Sequence, residues 1–101
     1  MDKSAPSTEP LLSVHAVVRG RVQAVGFRQF VLTRARRLGL AGWVRNGDDG
    51  ETVEVAAEGP EERLRQLEAS LRQGPRSARV ETVEVRWSDE LEGHQAFQMR
   101  W

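Results

Sequence analysis

The chain has 101 residues, which suits one domain with one modest core. It contains no cysteine, so disulfides, thiolate metal sites and a cysteine nucleophile are all excluded, and no apolar run approaches the ~20 residues that a membrane helix needs. The 15 Lys and Arg residues balance 15 Asp and Glu residues, but unevenly: Pro10 to Gly47 holds seven arginines (19, 21, 28, 34, 36, 37 and 45) and no acid.

Residues 1–10, with Asp2, Lys3 and Glu9 among Ser, Thr and Pro, lack the apolar stretch of a secretory signal and are expected to form a short disordered tail. Residues 11–101 are then the folded domain, with a cytoplasmic location and, from size and neutral charge, a monomer as the expectation. Leu12, Val14, Ala16 and Val18 alternate at period two and predict a strand. Gly20 and Gly26 bound a loop, after which Phe27, Phe30, Val31, Ala35 and Leu38 have helical spacing, with Gly39 placed to end the helix. Leu40 to Asn46 reads as a second strand. The turn formers Asn46-Gly47-Asp48-Asp49-Gly50 then lead into a third, Thr52 to Glu58, closing a hairpin. Pro60 suits the first turn of a second helix with Glu61 and Glu62 at its positive end, Leu64, Leu67 and Leu71 as its stripe and Gly74-Pro75 as its stop. Ala78 to Trp87 is a fourth strand whose apolar frame shifts between Val80 and Val83, the mark of a bulge. Phe97, Met99 and Trp101 alternate as a short last strand closing an edge.

The order βαββαβ plus a terminal strand predicts an α+β domain of the ferredoxin-like type, an antiparallel sheet with two helices on one face. In that topology the first two strands run parallel with the third between them, so their C-terminal ends leave the same sheet edge roughly 10 Å apart. The Gly20–Gly26 loop, Arg28 in the helix start and Asn46 at the end of the second strand therefore converge. A glycine-bounded loop entering a helix turns several backbone N–H groups toward one centre and suits an anion such as a phosphate; taken alone, such a loop is more often a plain turn. Arg28 adds a planar fork for two phosphoryl oxygens, and the Asn46 carboxamide can accept from a water and hold it in line for attack. Phosphoryl transfer rests mostly on positioning and charge stabilisation, so no classical base is required. The Walker pattern is excluded because Phe27 and Arg28, not Lys and Ser or Thr, follow Gly26.

Gly20-Arg-Val-Gln-Ala-Val-Gly-Phe-Arg28 resembles the acylphosphatase signature, and Leu38-Gly-Leu-Ala-Gly-Trp-Val-Arg-Asn46, Asp49-Gly50, Val53-Glu54, Gly59-Pro60 and Phe97-Gln-Met-Arg-Trp101 resemble later landmarks of that family. The resemblance runs from about Ser13 to Trp101. It implies hydrolysis of the carboxyl–phosphate bond of a small-molecule acyl phosphate by direct attack of water, with no metal and no cofactor; neither nucleic acid nor a membrane is expected as a partner. It assigns phosphate binding to Arg28, the orientation of the water to Asn46, and a mainly backbone cradle to Arg21, Val22, Gln23, Ala24, Val25, Gly26 and Phe27. One departure stands out: the family pattern has glycine where this chain has Ala24. If the backbone there needs positive φ, alanine costs on the order of 1 kcal/mol.

Other candidates have bland readings. His15 is expected to be structural and His94 to lie at the surface, and two histidines so far apart make no metal site. Asp48 and Asp49 are read as a hairpin turn, Trp43, Trp87 and Trp101 as core or edge residues, and Arg34, Arg36 and Arg37 as a solvated helix face. Ligand binding stays open for Arg19, Arg21 and Arg45. Two competing functions share the element order. A pure anion-binding module has no need of Asn46. An RNA-recognition module needs exposed aromatics on the central strands, and Thr52-Val-Glu-Val-Ala-Ala-Glu58 has none.

Overall fold

The first alternating run becomes β1, Leu11–Arg21, with Val14, Ala16 and Val18 buried beneath the helices and His15 and Val17 half-buried on the other face. The structure, a computed structural model, describes residues 10–101, so the expected tail lies outside the described residues except for Pro10. The elements that follow are α1 (Phe27–Arg37), β2 (Ala41–Asn46), β3 (Thr52–Pro60), α2 (Glu61–Gln73), β4 (Arg79–Ser88) and β5 (Phe97–Met99).

The sheet order is β4-β1-β3-β2-β5. Strand β3 is antiparallel to both β1 and β2, with Val53 opposite Val18 on one side and Asn46 on the other, so β1 and β2 run parallel with one strand between them. Nearly every residue of β3 is buried, as its central position requires. The one departure from an all-antiparallel sheet is β5, which pairs parallel to β2 with Met99 beside Val44. The backbone N–H of Arg100 continues that ladder to the Val44 carbonyl at 2.8 Å. The frame shift in β4 is a bulge: Arg19 faces Thr82 and Gly20 faces Val80, leaving Glu81 as the extra residue. Gly20 is required there, because a Cβ at its φ of +140° would sit 2.1 Å from the Arg79 carbonyl oxygen.

Both helices pack on one face of the sheet. Phe27, Val31 and Ala35 of α1 and Leu64, Leu67 and Leu71 of α2 meet Val18, Val44, Val53 and Val55, and full burial of each such side chain contributes roughly 1.5–3 kcal/mol. Leu38 and Gly39 close α1 with N–H bonds to the Arg34 and Arg36 carbonyls, Gly39 at φ +68°. Pro60 does not enter the first turn of α2. It ends β3 opposite Leu11 and serves as the helix N-cap, leaving Glu61 and Glu62 in the first turn.

On the open face Trp43 is buried by side chains rather than by an element. The Arg45 and Arg100 guanidiniums each lie 4.9 Å from its ring centroid, and His15 meets it edge-on. Glu54 bonds Arg45 and His15 there, which accounts for His15 as a structural residue. Buried Glu58 accepts the backbone N–H groups of Glu92, Gly93 and His94 and so ties the β4–β5 connection to β3. Arg36 is more than a solvated residue: its guanidinium donates to the Phe97 carbonyl at 3.1 Å, holding β5 to α1.

Candidate active site

Where β1 ends, the chain must reverse to start α1 above the sheet, and it does so in five residues. Val22 turns inward and is 1% exposed. Ala24 and Gly26 then take positive φ, 59° and 78°, before Phe27 opens the helix. Positive φ at alternate residues is the backbone pattern that turns successive N–H groups to one side. Among the described residues, the backbone N–H groups of Gln23 to Arg28 donate to no protein acceptor. Gly26 gives α1 no side-chain cap and its first turn carries no acid, so the positive end of the helix dipole faces the same side unneutralised.

The loop is braced on both flanks. The Gln23 side-chain amide donates to the carbonyls of Gly47 at 2.9 Å and Thr52 at 2.8 Å, and the Ser77 hydroxyl donates to the Val25 carbonyl at 3.0 Å. The Gly20 N–H meets the Glu51 carbonyl at 3.0 Å. The opposite turn is itself fixed by Asp49, whose Oδ1 accepts from the Glu51 N–H, the Thr52 N–H and the Thr52 hydroxyl. The Glu51 N–H first, then the Thr52 hydroxyl, hold the Asp49 carboxyl below the usual carboxylate range against a smaller desolvation effect.

A cavity of about 140 Å³ sits over this loop, lined by Val22, Ala24, Gly26, Phe27, Arg28, Gln29, Asn46 and Met99. Arg28 and Asn46, eighteen positions apart, thus share one wall system, as the parallel β1 and β2 require. Asn46 is the last residue of β2, and its Oδ1 is buried without a hydrogen-bond partner among the described residues. Arg45, its neighbour in the strand, points to the opposite face, where it pairs with Glu54 at 2.7 Å. Arg28 pairs with no carboxylate among the described residues; its Nη1 donates to the Arg100 carbonyl at 3.2 Å and its guanidinium carbon lies 4.3 Å from the Trp101 ring centroid. Arg19 is taken up by Asp49 and Glu51, at 3.4 and 3.7 Å. Arg21 ends β1 opposite Arg79 and is exposed outside the cavity.

Of the expected cradle, Val22, Ala24, Gly26 and Phe27 line the cavity, while the side chains of Gln23 and Val25 serve the loop's own fold. Met99 and Gln29 were not anticipated there, nor were Arg100 and Trp101 beside Arg28. Trp101 is neither core nor paired edge but 93% exposed beside Arg28. The alternation Phe97, Met99, Trp101 carried a signal for this, since it points all three to the face that holds Asn46. Among the described residues no three His, Asp or Glu side chains gather as a metal ligand set, and no helix is long and apolar enough to cross a membrane.

Comparison with known proteins gives the family and supports the fold. The acylphosphatase family model matches residues 14–99. An acylphosphatase of Salinibacter ruber is 52% identical over 87 residues, covering 86% of this chain and 90% of the relative. The crystal structure of acylphosphatase from Bacillus subtilis superposes with a TM-score of 0.86 at 43% identity, covering 89% of this chain and 99% of that one. An acylphosphatase structure from Coxiella burnetii gives 0.84 at 33% identity, covering 90% and 94%. The chain belongs to the acylphosphatase family and is an enzyme that hydrolyses acyl phosphates.

Proposed function

We propose that hydrolysis proceeds by direct attack of a water, positioned by Asn46, on a phosphoryl group gripped by Arg28 and the backbone N–H groups of Gln23 to Arg28. The observation that carries this reading is the shared cavity: among the described residues Arg28 meets no carboxylate, the buried Asn46 Oδ1 has no partner, and the loop amides beneath them have no protein acceptor. Three parts have distinct tasks. The loop amides and the α1 dipole neutralise the non-bridging phosphoryl oxygens. The Arg28 fork adds full charge in the plane of two of those oxygens. Asn46 Oδ1 accepts one O–H of the water, which aims a lone pair at phosphorus without removing a proton in advance.

The water oxygen bonds to phosphorus as the bond from phosphorus to the bridging oxygen breaks. The bridging oxygen leaves as the carboxylate of the acyl group, and the water proton goes to the phosphate product or to solvent. A carboxylate is a good leaving group, so no general acid is needed on that side. Isotope labelling tests the direction of attack. Turnover of benzoyl phosphate in ¹⁸O-water should put the label into inorganic phosphate and leave benzoate unlabelled. Label in benzoate would mean attack at the carbonyl carbon and would overturn the assignment of Asn46.

A further inference from the structure

The cavity grips the phosphoryl half of a substrate, and the acyl half has to project from its mouth. Beside it, Met99 of β5 lines the cavity and Trp101 lies against Arg28. Strand β5 runs parallel to β2 with Phe97 beside Gly42 and Met99 beside Val44, and the Arg100 N–H extends the ladder. Continued two residues, this register brings Trp101 to the level of Asn46. Trp101 does not pack into the protein. It stays 93% exposed, with one face of its indole on the Arg28 guanidinium at 4.3 Å and the other face open. Met99, half-buried between cavity and core, makes the adjoining apolar wall.

An indole held open beside a charged grip is a platform for a second flat ring. Stacking on Trp101 engages the guanidinium of Arg28 from its face, and the Arg100 carbonyl takes one of its hydrogens at 3.2 Å. The other N–H groups of the fork are left for phosphoryl oxygens. We propose that Trp101 is the specificity-determining residue for the acyl half, selecting acyl phosphates whose acyl group is a flat aromatic over those with a small aliphatic one. The aromatic ring meets the exposed edge of the Trp101 indole, on the side of Arg28, while its phosphoryl group rests on Arg28 and the loop. This rests on the reading of Arg28 given above.

The test compares benzoyl phosphate with acetyl phosphate as substrates for the wild type, Trp101→Ala and Trp101→Phe, with inorganic phosphate as a competitive inhibitor of each. In Trp101→Ala the ratio of kcat/KM for benzoyl over acetyl phosphate should fall about fivefold to tenfold, the size expected for one lost aromatic pair. Trp101→Phe should restore most of that ratio, because a ring remains. A ratio within twofold of wild type in Trp101→Ala overturns the proposal, and so does a loss shared equally by both substrates with weakened phosphate inhibition, since Trp101 would then act only by holding Arg28. Arg28→Ala serves as the separate control. If it leaves phosphate inhibition intact, the reading of Arg28 fails, whatever Trp101 does to the ratio.

Discussion

Gln23 donates its side-chain amide to the Gly47 carbonyl at 2.9 Å, and this contact joins the loop under the cavity to the residue that follows Asn46. The same amide reaches the Thr52 carbonyl at 2.8 Å. The Gln23 side chain therefore ties the two halves of the site together, while its backbone N–H stays with the loop.

Gln23→Ala removes both bonds; the Thr52 carbonyl keeps the Gly47 N–H at 2.9 Å, but the part-buried Gly47 carbonyl loses its side-chain donor, so stability should fall by about 1–3 kcal/mol. The kcat should fall as well, since loop and strand end lose their common brace, while Gln23→Glu, which cannot donate, should not rescue either. Urea denaturation and steady-state kinetics check both. An unchanged unfolding midpoint would contradict the brace.

Ala24 sits at φ 59° in a stretch where L-residues carry a penalty. The family pattern's glycine relieves that strain but gives back some unfolded-state entropy. The net gain for Ala24→Gly should be about 0.5–1 kcal/mol, seen as a rise of a few degrees in Tm. The loop already has the positive φ that glycine would adopt, so kcat should change less than stability does. A lower Tm would show that Ala24 is not strained.

Acid should weaken the turn that faces the loop. Asp49 is held below its ordinary pKa, first by the Glu51 N–H and then by the Thr52 hydroxyl. Burial is the largest single influence on Glu54 and pushes its carboxyl up, but the hydrogen bonds from Arg45 and His15 together hold it below the ordinary value. A depressed carboxylate stabilises the fold above its unfolded pKa, about 4, and that contribution is lost as pH falls through the lower folded value. The urea midpoint should therefore drop as pH is lowered below about 4. In Asp49→Asn, which keeps an acceptor but cannot titrate, the drop should be shallower. Equal drops in the two proteins would remove Asp49 from the explanation.

Much of this was legible in the sequence because it depends on local periodicity. The alternation in Leu12 to Val18 and the leucine stripe of α2 define which faces are buried. The order of elements then forces β1 and β2 to be parallel around β3, and so brings Asn46 to Arg28. The bulge at Glu81 was visible as a shift of frame. The unread parts are those set by long-range contact. Nothing local says that Gln23 turns away from an anion loop to hold Gly47, that Arg36 reaches the Phe97 carbonyl, or that β5 joins its neighbour in parallel. Trp101 was placed in the core or at an edge because a large apolar residue is usually covered. The alternation with Phe97 and Met99 gives its face, but its place beside Arg28 depends on the register of β5 against β2, a long-range contact.

Arg28 and Asn46 should fail in different ways. Arg28→Ala should lose activity by about 100-fold or more together with competitive inhibition by inorganic phosphate, because the grip itself is gone. Asn46→Ala should lose kcat by about 100-fold or more while its inhibition constant for inorganic phosphate stays within about threefold of wild type, because only the water is misplaced. Asn46→Ala turning over benzoyl phosphate at the wild-type kcat, with phosphate inhibition unchanged, would contradict the water-positioning role and with it the proposed mechanism.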